Sequence, residues 1–144
     1  MQTIVLLAFC AVFYALFEIF AGLAGGKIND WLAAVLYNGT GTVIPLIVYI
    51  STTTKGKTTV RGAIYAGLAG VGIMLFSVLL ARLFNRGGNL SYVIPTIYGA
   101  AIVISSIYGY IFLKEKIGNL QLMGLCFVVA GVFFIVLSKI RISF

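Results

Sequence analysis

The sequence predicts an all-α membrane protein with five transmembrane helices. Of its 144 residues, 62% are hydrophobic and 9% are charged, whereas a soluble domain has about 25% charged residues. The apolar residues form five continuous runs, each long enough to cross a hydrocarbon layer of ~30 Å as a helix. We therefore expect one transmembrane domain over residues 1–144.

The five runs follow one another with short polar breaks, which make consecutive helices antiparallel neighbours. The first run is expected to be a retained span rather than a signal peptide, because no basic residue precedes it and it contains Glu18. The break at 51–61 is the longest and predicts a flexible linker. The predicted spans are 4–23, 31–50, 62–84, 91–113 and 120–138.

The ten basic residues indicate how the chain inserts. They give a net charge of +7, but they lie at the ends of the apolar runs, near lipid headgroups, so nucleic acid is not an expected partner. Five crossings divide them equally between the two membrane sides. One side has Lys55, Lys57, Arg61, Lys114 and Lys116, and the other has Lys27, Arg82, Arg86, Lys139 and Arg141.

This equal division removes the positive-inside bias that sets orientation, so the chain is expected to insert both ways. Two oppositely oriented copies would form an antiparallel, inverted ten-helix dimer, the symmetry used for alternating access in many transporters. The open alternative is a fixed orientation with a separate, inverted homologue as partner.

Glu18 is the strongest candidate for a functional residue. It is the only acidic residue inside a long apolar run, about 6 Å from the middle of its helix. An ionised, unpaired carboxylate there costs a few kcal/mol, so such residues usually bind substrate or protons. Tyr14 and Gly22 share its helical face. Snorkelling or pairing with Lys27 is the structural alternative.

Other polar side chains at membrane depth are weaker candidates for contacts with substrate or protons. Asn38 lies in the glycine-rich middle of the second span, where it could equally hold helices together. The deep tyrosines could line a pathway for an organic cation, and two serines in the fourth span could donate hydrogen bonds. These candidates are Tyr14, Tyr37, Tyr98, Ser105 and Ser106.

Residues 91–137 resemble part of a known family. Ser91 to Pro95 open a span that ends at Lys114-Glu115-Lys116, and Gln121-Leu122-Met123-Gly124 leads to Ala130-Gly131-Val132. This arrangement resembles the last two helices of an EamA-type half in the drug/metabolite transporter superfamily. A more distant resemblance is to the small multidrug resistance family, antiparallel dimers with a Glu in the first helix. The resemblance implies a five-helix unit that pairs with an inverted one.

The expected function is a small secondary transporter that works by alternating access in an antiparallel homodimer. The expected transport is proton-coupled export of a small organic cation or metabolite. The alternative is a dual-topology channel or a non-transporting structural or regulatory subunit. The chain has no His, no CxxC and no acidic cluster, so we expect no enzyme, metal or cofactor. Its expected partners are membrane lipid, a second copy and a small-molecule substrate, and its expected location is a prokaryotic cytoplasmic membrane.

Overall fold

The structure, a computed structural model, describes residues 2–52 and 58–142. Within these ranges the chain forms five α-helices that are long and apolar enough to cross a membrane. This confirms the predicted all-α architecture, and the helix ends lie within four residues of the predicted ends. Lys55, Lys57 and the centre of the predicted linker lie outside the described residues. The helices are α1 (Gln2–Ala24), α2 (Asp30–Ser51), α3 (Val60–Asn85), α4 (Leu90–Phe112) and α5 (Asn119–Ile142).

Polar side chains fix the starts of two helices. The Asn29 side chain accepts hydrogen bonds from the backbone N–H groups of Trp31 and Leu32, at 2.9 and 3.4 Å. The Thr59 hydroxyl accepts one from Gly62 N–H at 3.1 Å. The first N–H groups of a helix have no intrahelical acceptor, so these caps stop the spans without exposing bare donors near lipid.

The helices form two compact units that divide after Gly88. In the first unit, α3 packs against both α1 and α2. The buried side chains of this unit all lie toward the ends of α1 and α3 and the start of α2, which we call the closed end. They are Glu18 and Ala21 in α1, Ala33 and Ala34 in α2, and Ser77, Val78, Leu80, Ala81 and Phe84 in α3.

The opposite halves of these three helices are exposed throughout. This applies to residues 3–16 of α1, 39–51 of α2 and 60–75 of α3, which we call the open halves. Most of their side chains are large and apolar. Such a surface suits contact with lipid or with another protein in the membrane, not with water.

The second unit consists of α4 and α5, which pack at a close backbone approach. Gly99 in α4 is buried, and a Cβ built there would overlap the Val132 side chain of α5. After α4 the chain turns sharply through Lys114, whose φ is 54°. The Glu115 N–H donates to the Gly109 carbonyl at 3.1 Å, so this turn folds back onto the end of α4.

The packing at Gly99 generates a stability prediction. Gly99→Ala should destabilise the protein by about 1–3 kcal/mol, because the new methyl group overpacks the contact with Val132. The matched control is Gly70→Ala in α3, where a Cβ meets no heavy atom of the described chain within 4 Å. It should be neutral or stabilise the helix by about 0.5–1 kcal/mol. Thermal unfolding of both variants in detergent checks this, and equal losses would contradict it.

Candidate functional site

Glu18 lies in the buried part of the first unit. Its side chain is only 3% exposed, and Ala21 beside it is 1% exposed. Of the two residues expected on its face, Gly22 is half-buried and Tyr14 is exposed. Gly25 nearby is also half-buried, whereas Ala11 and Ala15 are exposed. A carboxyl group at this depth is therefore removed from the surface of the chain, which does not fit a side chain that snorkels into the headgroup layer.

Small residues bring the end of α1 close to α3. A Cβ added to Gly25 would lie 2.8 Å from Cβ of Phe84, so only glycine fits this approach without a shift. On the other flank of α1, the Phe17 ring meets the Tyr37 ring edge-on, with centroids 5.5 Å apart. These contacts tie the helix that carries Glu18 to both α2 and α3.

The polar stretch of α2 satisfies its own hydrogen bonds. Asn38 donates to the Ala34 carbonyl at 2.8 Å, and the hydroxyls of Thr40 and Thr42 donate to the carbonyls four residues earlier at 2.6 Å. Asn38 is half-buried, and the two threonines are exposed. The Asn38 amide also carries a carbonyl oxygen that can accept a further hydrogen bond.

Polar residues of all three helices lie at a similar depth below the closed end. Counted back from the helix ends at 1.5 Å per residue, Glu18, Asn38 and Ser77 each lie roughly 9–12 Å from that end. We call these three residues the polar layer. Ser77 is 2% exposed and donates to the Ile73 carbonyl at 2.8 Å. Ser77 is not among the residues predicted from the sequence, where its one signal is a serine hydroxyl within an apolar run.

A hydrogen-bond cluster around Asn85 joins the ends of α1, α2 and α3. The Asn85 side chain donates to the Ile28 carbonyl at 2.9 Å and to the Asp30 carboxylate, and it accepts from the Gly26 N–H. Arg82 Nε donates to the other Asp30 oxygen at 3.0 Å. We call these groups the Asn85 cluster. It holds the turn after α1 and the start of α2 on the end of α3.

The candidates in the second unit differ from one another. Tyr98 is half-buried on α4. Ser106 is half-buried and lines an apolar groove between α4 and α5. Ser105 is exposed, and its hydroxyl donates to the Ile102 carbonyl at 3.0 Å. The adjacent serines point to different faces of the helix, so they do not form one hydrogen-bonding pair.

The arrangement in the first unit suits binding more than bond-breaking chemistry. It offers one buried carboxyl group, which can hold a proton or a cation, with an amide and a hydroxyl at the same level. Among the described residues there is no group of three or more His, Cys, Asp or Glu side chains that could hold a metal ion.

Comparison with known proteins identifies a family. The model of the EamA-like transporter family matches residues 1–137, nearly the whole chain. No significant match was found among curated proteins or among solved structures.

The Asn85 cluster predicts unequal effects of two substitutions. Asn85→Ala should destabilise the protein by about 1–3 kcal/mol, because it leaves the Ile28 carbonyl and the Gly26 N–H without this partner. Arg82→Ala should cost less than about 1 kcal/mol, since the side chains of its ion pair with Asp30 are 44% and 22% exposed. Thermal unfolding in detergent measures both, and a larger loss for Arg82→Ala would contradict the ranking.

Proposed function

Because the chain belongs to the EamA-like transporter family, a family of drug- and metabolite-type membrane transporters, we propose that it is a small secondary transporter that exchanges protons for a small organic cation or metabolite. The observation that carries this proposal is the burial of Glu18 at membrane depth. A carboxyl group that binds either a proton or a cationic substrate, but not both, couples the two movements in opposite directions. Export driven by proton entry follows from such exclusive binding.

The rest of the polar layer supports this role. Asn38 and Ser77 offer neutral hydrogen-bonding groups at the level of Glu18, and Tyr37 offers a ring face beside α1. A ring face and a carboxylate together attract an organic cation. Tyr14 lies one turn before Glu18, so we expect the substrate to contact Tyr14 on its way to Glu18. Tyr98, Ser105 and Ser106 remain predicted substrate contacts of the second unit.

Alternating access requires a second five-helix unit, and we propose that an oppositely inserted copy supplies it. The equal division of basic residues between the two sides supports insertion in both orientations. The open halves of α1, α2 and α3 supply the apolar surface such a copy would need. A binding site between two inverted copies becomes accessible from each side in turn when the copies exchange conformations. The setting we expect is a prokaryotic cytoplasmic membrane.

Replacement of the buried carboxyl group tests the mechanism. Glu18→Gln should abolish proton-coupled transport in proteoliposomes, because the amide neither titrates nor attracts a cation, while assembly in detergent stays intact. Glu18→Asp is the matched control: it keeps the titrating group and should keep coupling at a reduced rate. Unchanged coupled transport in Glu18→Gln would remove Glu18 from the mechanism.

Charge balance tests the dual orientation. A tag on one terminus should be accessible from both sides of the membrane in intact cells and inverted vesicles. Lys27→Gln should shift the ratio toward one orientation, because it leaves four basic residues against five. The double variant Lys27→Gln/Lys116→Gln restores equality and should restore the ratio. Labelling from one side only, in all three proteins, would favour a separate inverted partner.

A further inference from the structure

An apolar groove runs along the second unit between α4 and α5. It has a volume of about 940 Å³ and is lined by side chains of both helices, including Val103, Tyr110, Val129 and Phe133. Its lining contains no ionisable acid or base apart from the Tyr110 hydroxyl and the Cys126 thiol. From Leu122 to Phe133 it follows α5 for about 16 Å at 1.5 Å per residue, a length suited to a hydrocarbon chain.

One end of this groove lies at a basic turn. Ile117, which follows Lys116 directly, lines the groove at that end together with Ile111. Lys114 and Lys116 are exposed. The acidic residue between them is turned toward the α4 backbone, since a Cβ at Gly109 would meet Glu115 Oε2 at 2.6 Å. The apolar groove therefore opens beside two ammonium groups at the end of the spans.

The start of α5 adds to this positive potential. The helix begins at Asn119, and its first turn contains no acidic residue. Unpaired N–H groups at a helix start favour an anion. A phospholipid has the two parts that fit this surface. Its phosphate-bearing headgroup suits the two lysines and the helix start, and its acyl chain suits the apolar groove that leads from them.

We propose that this groove is a binding site for an anionic phospholipid, with one acyl chain between α4 and α5 and its headgroup at Lys114 and Lys116. The charge at the groove's end selects an anionic lipid over a zwitterionic one. A polar or charged substrate is a poorer match, because apart from the Ser106 and Tyr110 hydroxyls the groove has apolar walls. With an acyl chain in the groove, Ser106 would contact lipid and would no longer be a substrate contact.

A second copy is also a poorer occupant. Gly124 and Gly131 of α5, small residues of the kind that allow helices to approach closely, lie about 200° around the helix from Leu122 and Val129, on the side away from the groove. A Cβ at either glycine meets nothing of the described chain within 4 Å. That face suits the partner copy, which leaves the groove to lipid. This step rests on the proposed dimer, but the experiment below does not.

Fluorescence quenching by brominated lipids tests the proposal on the purified, reconstituted full chain. Trp31 is the only tryptophan, so Trp31→Phe removes the tryptophan fluorescence of the protein. In that variant, Phe133→Trp places a single fluorescent reporter in the groove. The control reporter is Ile104→Trp on α4, a position that is exposed, does not line the groove and lies apart from the glycine face of α5. Brominated phosphatidylglycerol and phosphatidylcholine, with bromine at the same chain position, are compared at each reporter. The ratio of their apparent binding constants cancels differences in depth.

We expect phosphatidylglycerol to bind several-fold more tightly than phosphatidylcholine at the Phe133→Trp reporter, and the two lipids to bind equally at Ile104→Trp. Lys114→Gln/Lys116→Gln should lower the preference by up to about five-fold per lysine. The control variant Lys27→Gln/Arg86→Gln removes an equal charge from the other membrane side. It should leave the preference for phosphatidylglycerol unchanged.

Three results would overturn the proposal. Equal quenching by both lipids at Phe133→Trp would mean ordinary solvation by bulk lipid. No quenching by either lipid would mean that protein covers the groove. Quenching relieved by a lipophilic compound that the protein also transports would assign the groove to substrate. None of these results bears on Glu18 or on proton coupling, so the failure of this proposal is distinguishable from failure of the transport mechanism.

Discussion

The hydrogen bonds of Asn85 hold together the end of the first unit that contains Glu18. One amide bridges the turn after α1, the start of α2 and the end of α3, and the tight contact of Gly25 with Phe84 lies beside it. Helix association in lipid gains little from the hydrophobic effect, so close packing and such polar contacts decide which helices meet and where. The contacts of Asn85 and of Gly25 with Phe84 therefore fix the position of Glu18 in the first unit.

The two ends of the first unit thus have different characters. At the closed end, small side chains such as Ala33, Ala34 and Ala81 allow helices to approach, and a larger residue, Leu80, fills the space between them. In the open halves, α2 carries Pro45 and two threonines that bond to their own helix. The hydroxyls of these threonines are satisfied within α2 itself, so they need no partner from a neighbouring helix in an apolar surrounding.

The sequence predicts the helices well because length and hydropathy alone decide what crosses a bilayer. It also singles out Glu18, since a carboxyl group within a long apolar run is costly wherever it lies. The packing of the closed end cannot be predicted from length, hydropathy or the cost of a buried charge. Asn85 resembles an ordinary break between spans, and the burial of Ser77 depends on which faces of three helices meet. Single glycines likewise give no sign that Gly99 is packed against Val132 while Gly70 is open.

The glycines of α3 lower the helix propensity of its open half but not of its other end. Gly67, Gly70 and Gly72 all lie in the open half of α3, where a Cβ would touch nothing of the described chain within 4 Å, and each lowers helix propensity by roughly 1 kcal/mol relative to alanine. The other end of the same helix is anchored by Phe84 and Asn85. If α3 bends at these glycines, its open half moves while the level of Glu18 stays almost stationary.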